Sequence, residues 1–450
     1  MENGTKSCPV DPVAVVGISC RLPGNSNSPD ELWDLFKDGN EAWSTVPPDR
    51  WNQGAFYHPS PDNRNGTNHH IGGHFISGDL RDFDHSFFRL SSQQADAMDP
   101  QQRILLEMSY EALENAGWPL DQLAGTKTAV HVATFTSDFE RNLYKDPLDM
   151  PTYYMTGAER AIMSNRLSHA FDLRGPSMTL DTACSGGLVS LHQACLGLLD
   201  GESDAAIVAA ANLILSPDHH IGMSNLHLIS GTGHSYPFDQ RGTGYGRGEG
   251  AVVLVVKRLD KALADRDPIR AVICGTAVNQ NGHSTNGIMH PNRQAQVDLI
   301  RTAYERADIN PQDVTYIEAH GTGTVAGDNE ELRAIAEVFS SPGRPRSLPL
   351  YVGSNKGSIG HTESTSGLAS IVKAVLILDR QVIPPVAGFK EPKTGLPLES
   401  IHIPVKPVPL PQSVNITPRV SVNSFGFGGT SKIPPYPKLV FTDMLIAPSY

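Results

Sequence analysis

Residues 178–191 read Met-Thr-Leu-Asp-Thr-Ala-Cys-Ser-Gly-Gly-Leu-Val-Ser-Leu. The first part is a short apolar run of strand character. From Gly186 onward the apolar residues fall at helical spacing. Cys184 lies at the joint, so the chain must turn tightly from strand into helix there. That unit belongs to layered α/β architecture. A thiol at a helix start faces unpaired backbone N–H groups and the positive end of the helix dipole. Both favour the thiolate, the nucleophilic form, and the pattern predicts a reactive cysteine. Taken alone, a cysteine among small apolar residues fits a core filler equally well.

The same alternation runs along the chain. Strands are predicted at 13–19, 130–133, 178–182, 206–211, 250–257, 270–277, 314–319, 350–354 and 419–423. Helices are predicted at 30–37, 99–116, 293–307, 329–339 and 366–378. Continuous apolar strands alternating with helices indicate buried sheets covered by helices. Residues 44–80, rich in Pro, Asn, Gly and His, read as a surface excursion, and 1–11 as a flexible leader. No internal repeat is visible.

Composition excludes several classes. The 450 residues carry a net charge of −12, which argues against nucleic acid or anionic membrane as partners. No apolar run reaches membrane-spanning length, and the first residues lack a signal-peptide core. The five cysteines, Cys8, Cys20, Cys184, Cys195 and Cys274, fit neither a zinc site nor a disulfide framework, so no metal and a cytoplasmic setting are expected. The histidines at 69, 70, 74, 219 and 220 are not spaced as zinc ligands. The glycine-rich stretch 242–248 lacks the context of a nucleotide loop. The sequon at Asn415 has no meaning without secretion.

Two histidine motifs follow the cysteine: Glu-Ala-His-Gly-Thr-Gly-Thr around His320, and Gly-Ser-Asn-Lys-Gly-Ser-Ile-Gly-His-Thr ending at His361 and Thr362. Either histidine alone has a structural reading, as a strand end or a cap neighbour. With Asp-Thr-Ala-Cys-Ser, in this order, they resemble the β-ketoacyl synthase (ketosynthase) domain of polyketide synthases, most closely the reducing type of filamentous fungi. Segments 13–23, 98–103, 244–250 and 423–429 agree, so the resemblance covers about residues 12 to 430.

The resemblance implies a thiolase-like five-layer αβαβα fold of two duplicated halves, about 12–265 and 266–430. It implies decarboxylative Claisen condensation between an acyl thioester on Cys184 and a malonyl thioester. His320 and His361 would stabilise the enolate, and Lys356 would support them. The backbone N–H groups of Cys184 and Phe427 would form an oxyanion hole. Glu318 and Asp328 have hydrogen-bonding roles in loops and caps as readily as roles behind the site. No cofactor is expected to be bound. Substrates would arrive on the phosphopantetheine of a separate acyl carrier protein or on coenzyme A, with the carrier and an acyltransferase acting in trans, and the protein would be a homodimer.

The sequence departs from the family in three places. Cys-Ser-Gly-Gly replaces a serine-rich start of the helix, and Gly327-Asp328-Asn329 replaces a Gly-Asp-Pro loop. The third is the end of the chain. After Gly429-Thr430 come Ser431, Lys432, Ile433 and then prolines at 434, 435 and 437. Prolines cannot donate in a central strand, so 431–450 is expected to be a divergent, poorly packed tail, with 438–446 as a displaced strand. A loosened tail would weaken the Phe427 donor and leave a weak or inactive enzyme. The alternatives are a truncated, non-catalytic ketosynthase-like partner of a synthase, and a thiolase. A thiolase needs a second catalytic cysteine, for which only Cys274 is available.

Overall fold

Gly250–Arg258 illustrates how the sequence builds its layers. Val252, Leu254 and Val256 face one apolar core; Ala251, Val253 and Val255 face another. A strand buried on both faces has no polar side, hence its unbroken apolar sequence. The computed structural model describes residues 12–433 and 435–437, apart from 64, 286, 341–345 and 413–416. The leader at 1–11 with Cys8, the sequon at Asn415 and the strand candidate at 438–446 lie outside the described residues.

The first sheet contains β1 (Val13–Arg21), β2 (Thr128–Ala133), β3 (Ser177–Leu180), β4 (Ala205–Asn212), β5 (Gly250–Arg258) and β6 (Ala271–Ile273), in the order β3-β2-β4-β5-β1-β6. β2 is parallel to β3 and β4, and β5 returns antiparallel to β4. The second half adds β7 (Ala277–Gln280), β8 (Tyr316–Glu318), β9 (Tyr351–Gly353), β10 (Arg419–Val422), β11 (Ser424–Phe425), β12 (Thr430–Ile433) and β13 (Pro435–Pro437). Its main sheet runs β9-β8-β10-β13, with β8 parallel to β9 and β10, and β13 antiparallel to β10. This repeats the order and sense of β3-β2-β4-β5. The duplication is one of topology, which explains why the sequence itself carries no visible repeat.

The helices needed for the site are α1 (Pro29–Lys37), α2 (Pro100–Asn115), α3 (Arg160–Ala170), α4 (Gly186–Leu199), α5 (Asp218–Asn225), α6 (Arg293–Ala307), α7 (Val325–Phe339) and α8 (Ser366–Arg380). Three apolar cores divide them into layers. α2 and α3 cover the outer face of the first sheet through Ile104, Met108, Met163 and Leu167. α4 and α8 lie between the sheets, packing Leu188, Leu191, Leu368 and Val372 against Val208, Leu254, Val420 and Val422. α6 and α7 cover the second sheet through Ile300 and Ile335. Every residue of α8 from Ser366 to Leu378 is buried, as a helix enclosed on all sides requires. These are the five layers of the thiolase-like fold. Among the described residues no helix is long and apolar enough to cross a membrane.

The described part of the tail forms strands, while residues 434 and 438–450 lie outside the described residues. Thr430–Ile433 pairs antiparallel with both β7 and β11, and Pro435–Pro437 pairs with β10 opposite Arg419 to Ser421. Strand pairing therefore extends past the expected limit at residue 430. The reason is position. Among the described strands β13 is the outer one of its sheet. Proline is tolerated in such an outer strand, where one side of the backbone needs no ladder partner within its sheet. The strand predicted at 270–277 is two strands: β6 joins the first sheet beside β1, and β7 joins β12.

Candidate active site

β3 ends at Leu180, and a single 3₁₀ turn, Ala183–Ser185, leads into α4. Ala183 has φ +53°, the left-handed region that costs an L-residue about 1–2 kcal/mol. Its N–H donates to Asp181 Oδ1 at 3.0 Å. The Cys184 carbonyl accepts from Ser424 Oγ at 2.9 Å and Ser366 Oγ at 3.3 Å. The turn is thus pinned from the second half of the molecule, and Cys184 is held at its apex.

The repeat of this turn faces it. After β9, the segment Glu363–Thr365 forms a 3₁₀ turn leading into α8, and Glu363 has φ +50°. The two turns touch through glycines three residues beyond each apex. A Cβ on Gly187 would lie 2.7 Å from the Ser364 carbonyl oxygen, and one on Gly367 would lie 2.6 Å from Leu188 Cγ. The Cys-Ser-Gly-Gly departure therefore supplies a glycine where the two helix starts meet.

A cavity of about 740 Å³ opens here, lined among others by Cys184, His320, His361, Glu363, Phe425 and Phe427. His320 follows β8, and His361 follows the short helix Lys356–Ile359. Their rings lie 5.3 Å apart between centroids and nearly perpendicular, at 84°. The His320 N–H donates to Glu331 Oε1 at 2.7 Å and the Gly321 N–H to Glu331 Oε2 at 2.8 Å. The His361 Nδ1 accepts the Glu363 N–H at 3.2 Å. An acceptor Nδ1 on a neutral ring puts the proton on Nε2. Burial, reinforced by the Lys356 charge, holds both imidazoles well below their usual pKa, so both are neutral near pH 7. Phe427 sits at the tip of the β11–β12 hairpin, where the Gly426 N–H donates to the Thr430 carbonyl at 2.7 Å. Its backbone N–H faces the Cys184 sulfur.

Burial acts against the thiolate that the helix start favours. Burial pushes the Cys184 thiol well up, and Glu363 pushes it further; Lys356 and the Phe427 N–H oppose this without overcoming it. The helix start is where it was predicted, but desolvation outweighs it. Lys356 is itself buried, which lowers its pKa against the opposing pull of Glu318 and Glu331.

Glu318 and Asp328 work behind the site. Glu318 pairs with Lys373 at 2.8 Å and accepts from the Tyr316 hydroxyl and the Asn355 N–H. It thereby anchors the turn that carries Lys356. Asp328 pairs with Lys393 at 2.7 Å and accepts from the Gly323 and Phe238 N–H groups. Sequence reasoning missed Glu363, Arg247, Tyr245 and Glu331. Glu363 takes the Cys184 S–H at 3.6 Å, the Arg247 Nε–H at 3.3 Å and the Tyr245 hydroxyl at 3.5 Å. The available signal was the glycine-rich stretch itself. A Cβ on Gly246 would lie 2.1 Å from the Gly233 carbonyl and one on Gly248 2.3 Å from that of Ile359, so Arg247 is carried by a buried backbone rather than a phosphate loop. The donor atoms of Cys184, His361 and Glu363 lie within 4.8 Å of one another, a set that could hold a soft divalent ion. Lys356 and Arg247 bring positive charge to the same pocket, which opposes one.

The comparisons with known proteins agree with this geometry. The sequence matches the family profile "Beta-ketoacyl synthase, N-terminal domain" over residues 10–262 and "Beta-ketoacyl synthase, C-terminal domain" over 270–390. It is 64% identical over 426 residues to highly reducing polyketide synthase 17 of Metarhizium anisopliae, covering 95% of this chain and 14% of that protein. It is 47% identical over 422 residues to the squalestatin tetraketide synthase of a Phoma species, covering 93% of this chain and 16% of that protein. The chain thus spans a small part of the curated relatives it matches. Among solved structures, an oxazolomycin ketosynthase domain from Streptomyces albus superposes with a TM-score of 0.92 at 30% identity, covering 98% of this chain and 76% of that one. The ketosynthase from module 6 of the bacillaene synthase of Bacillus subtilis gives 0.86 at 32% identity, covering 95% and 72%. The two profiles meet near the boundary between the two topological halves, and the chain belongs to the β-ketoacyl synthase family, among the ketosynthases of polyketide synthases.

Proposed function

We propose that the chain catalyses decarboxylative Claisen condensation in polyketide assembly, with Cys184, His320 and His361 as its reacting set. The Cys184 sulfur takes an acyl group from a carrier thioester. The tetrahedral oxyanion formed on the way lies against the backbone N–H groups of Cys184 and Phe427. A malonyl thioester then enters, and its loss of carbon dioxide leaves an enolate. The N–H groups of His320 and His361 stabilise the enolate oxygen, and the enolate carbon attacks the acyl thioester on Cys184. Burial, reinforced by the Lys356 charge, keeps both imidazoles neutral.

The observation that carries this reading is the fixed tautomer of His361, in one cavity with Cys184 and His320. The acyl and malonyl groups would arrive on the phosphopantetheine of an acyl carrier protein loaded by an acyltransferase. No resident cofactor enters the scheme. The edge strand β3 is half-exposed along its length, which supports a homodimer formed by pairing β3 with its copy across a two-fold axis. Sedimentation should find a dimer at micromolar concentration; a monomer there removes that part.

The condensation test uses hexanoyl-N-acetylcysteamine and malonyl-N-acetylcysteamine as thioesters. The protein should release carbon dioxide and form the β-keto thioester, and Cys184→Ala should form none while remaining folded. A covalent acyl adduct on the Cys184→Ala protein would remove Cys184 from its role.

A further inference from the structure

Condensation begins with a thiol that must lose its proton, and in this site the Cys184 S–H is aimed at a buried carboxylate. Among the described residues, one side chain accepts the Cys184 S–H: the Glu363 carboxylate, whose Oε2 lies 3.6 Å from Sγ. We propose, resting on the ketosynthase reading above, that Glu363 is a catalytic residue that accepts the Cys184 proton during acyl loading and returns it to the departing carrier thiol.

Other groups at the sulfur are less able to do this. The His361 Nδ1 lone pair is occupied by the Glu363 N–H, and its Nε2 carries the proton. The Phe427 N–H is a donor. Glu363 has an oxygen free for the thiol because its other oxygen is held by the Arg247 Nε–H and the Tyr245 hydroxyl. Its backbone is held in the left-handed region, φ +50°, at the start of the 3₁₀ turn that leads into α8. Ser364 Oγ and Thr365 Oγ1 donate to the Ala211 and Gly250 carbonyls at 3.1 Å each, fixing that turn to the first sheet. The carboxylate is therefore placed against the sulfur by both halves of the molecule.

The step balances without any further reactant. The Cys184 sulfur forms a bond to the acyl carbonyl carbon as its proton passes to Glu363 Oε2. The carbonyl re-forms, the bond from carbon to the carrier sulfur breaks, and the leaving thiolate takes the proton from Glu363. A thioester and a thiol become a thioester and a thiol, and the carboxylate is restored. The charged and titratable groups around the pair are Arg247 and Tyr245 before β5, His219 on α5, His320 after β8, and Lys356 and His361 before the second turn.

The test is single-turnover acylation by hexanoyl-N-acetylcysteamine, read by intact mass between pH 6 and 9. General-base assistance is typically worth ~10²–10⁴-fold. The wild-type rate should be nearly flat at neutral pH. Glu363→Gln keeps an oxygen for the S–H but takes no proton, so it should acylate ~10²-fold more slowly at pH 6.5 and rise tenfold per pH unit, as free thiolate does. Formate should restore acylation to Glu363→Ala, a rescue that a purely structural role would not give. A Glu363→Gln rate at pH 6.5 equal to or above wild type overturns the assignment and leaves the ketosynthase reading standing. Absence of rescue in folded Glu363→Ala overturns it likewise. A wild-type protein that takes no acyl group overturns both.

Discussion

The molecule makes the same turn twice and uses it differently each time. At the first, Ala183-Cys184-Ser185 carries a thiol at the apex; at the second, Glu363-Ser364-Thr365 carries a carboxylate one residue before it. Both begin on a residue in the left-handed region, φ +53° and +50°, and both feed a helix buried between the two sheets. The serine that stands where Cys184 stands, Ser364, points away and donates to the Ala211 carbonyl. A duplicated backbone therefore sets two helix starts face to face, and only the side chains decide which half is the nucleophile and which surrounds it. Desolvation of the shared pocket raises the thiol despite its helix start. The second turn supplies the means to manage that proton.

The comparison breaks most sharply at the two apices. Cys184→Ala should abolish condensation, whereas Ser364→Ala should leave turnover within a few-fold and cost about 1 kcal/mol of stability for one lost buried hydrogen bond. Paired assays and denaturation curves check this; equal loss of turnover in both variants would contradict the division of roles. The next effect lies where the turns touch. Gly187→Ala presses on a backbone carbonyl, which cannot move aside, and should cost about 1–3 kcal/mol. Gly367→Ala presses first on the Leu188 side chain and should cost less, so the order of the two melting temperatures is the readout.

A smaller effect concerns Glu331, beneath His320. Burial raises its pKa from 4.5 to about 7, against the Gly321, Asn423 and His320 donors. A raised native pKa means the folded protein binds the proton more tightly. The stabilisation is complete below pH 4.5 and is lost as pH rises through about 7. Glu331→Gln should flatten that slope in denaturant midpoints measured from pH 5 to 8. An unchanged slope would remove Glu331 as its source.

Much of this was legible in the sequence because it is local. The helix expected at 99–116 forms as α2, with Asp99 as its cap, the side chain accepting the Gln101 N–H at 2.8 Å. Cys184, His320 and His361 each follow a strand or a short turn that their neighbours encode. What was not legible depends on contacts far apart in the chain. Arg247 and Glu363 are 116 residues apart and meet only after both halves fold. The pairing of Pro435–Pro437 with β10 was not legible because an edge strand and a central strand carry different rules, and only the sheet order tells which applies. The duplication was hidden because it survives in strand order while the residues that fill the two halves differ.

The most direct test separates the two turns chemically. Cys184→Gln removes the nucleophile but leaves His320, His361 and their partners in place. Given malonyl-N-acetylcysteamine, this variant should release carbon dioxide while forming no acyl adduct, and adding His361→Ala should lower that release by ~10²-fold or more, the usual cost of one lost oxyanion donor. Carbon dioxide release that vanishes with Cys184→Gln, or that survives His361→Ala unchanged, would contradict the account.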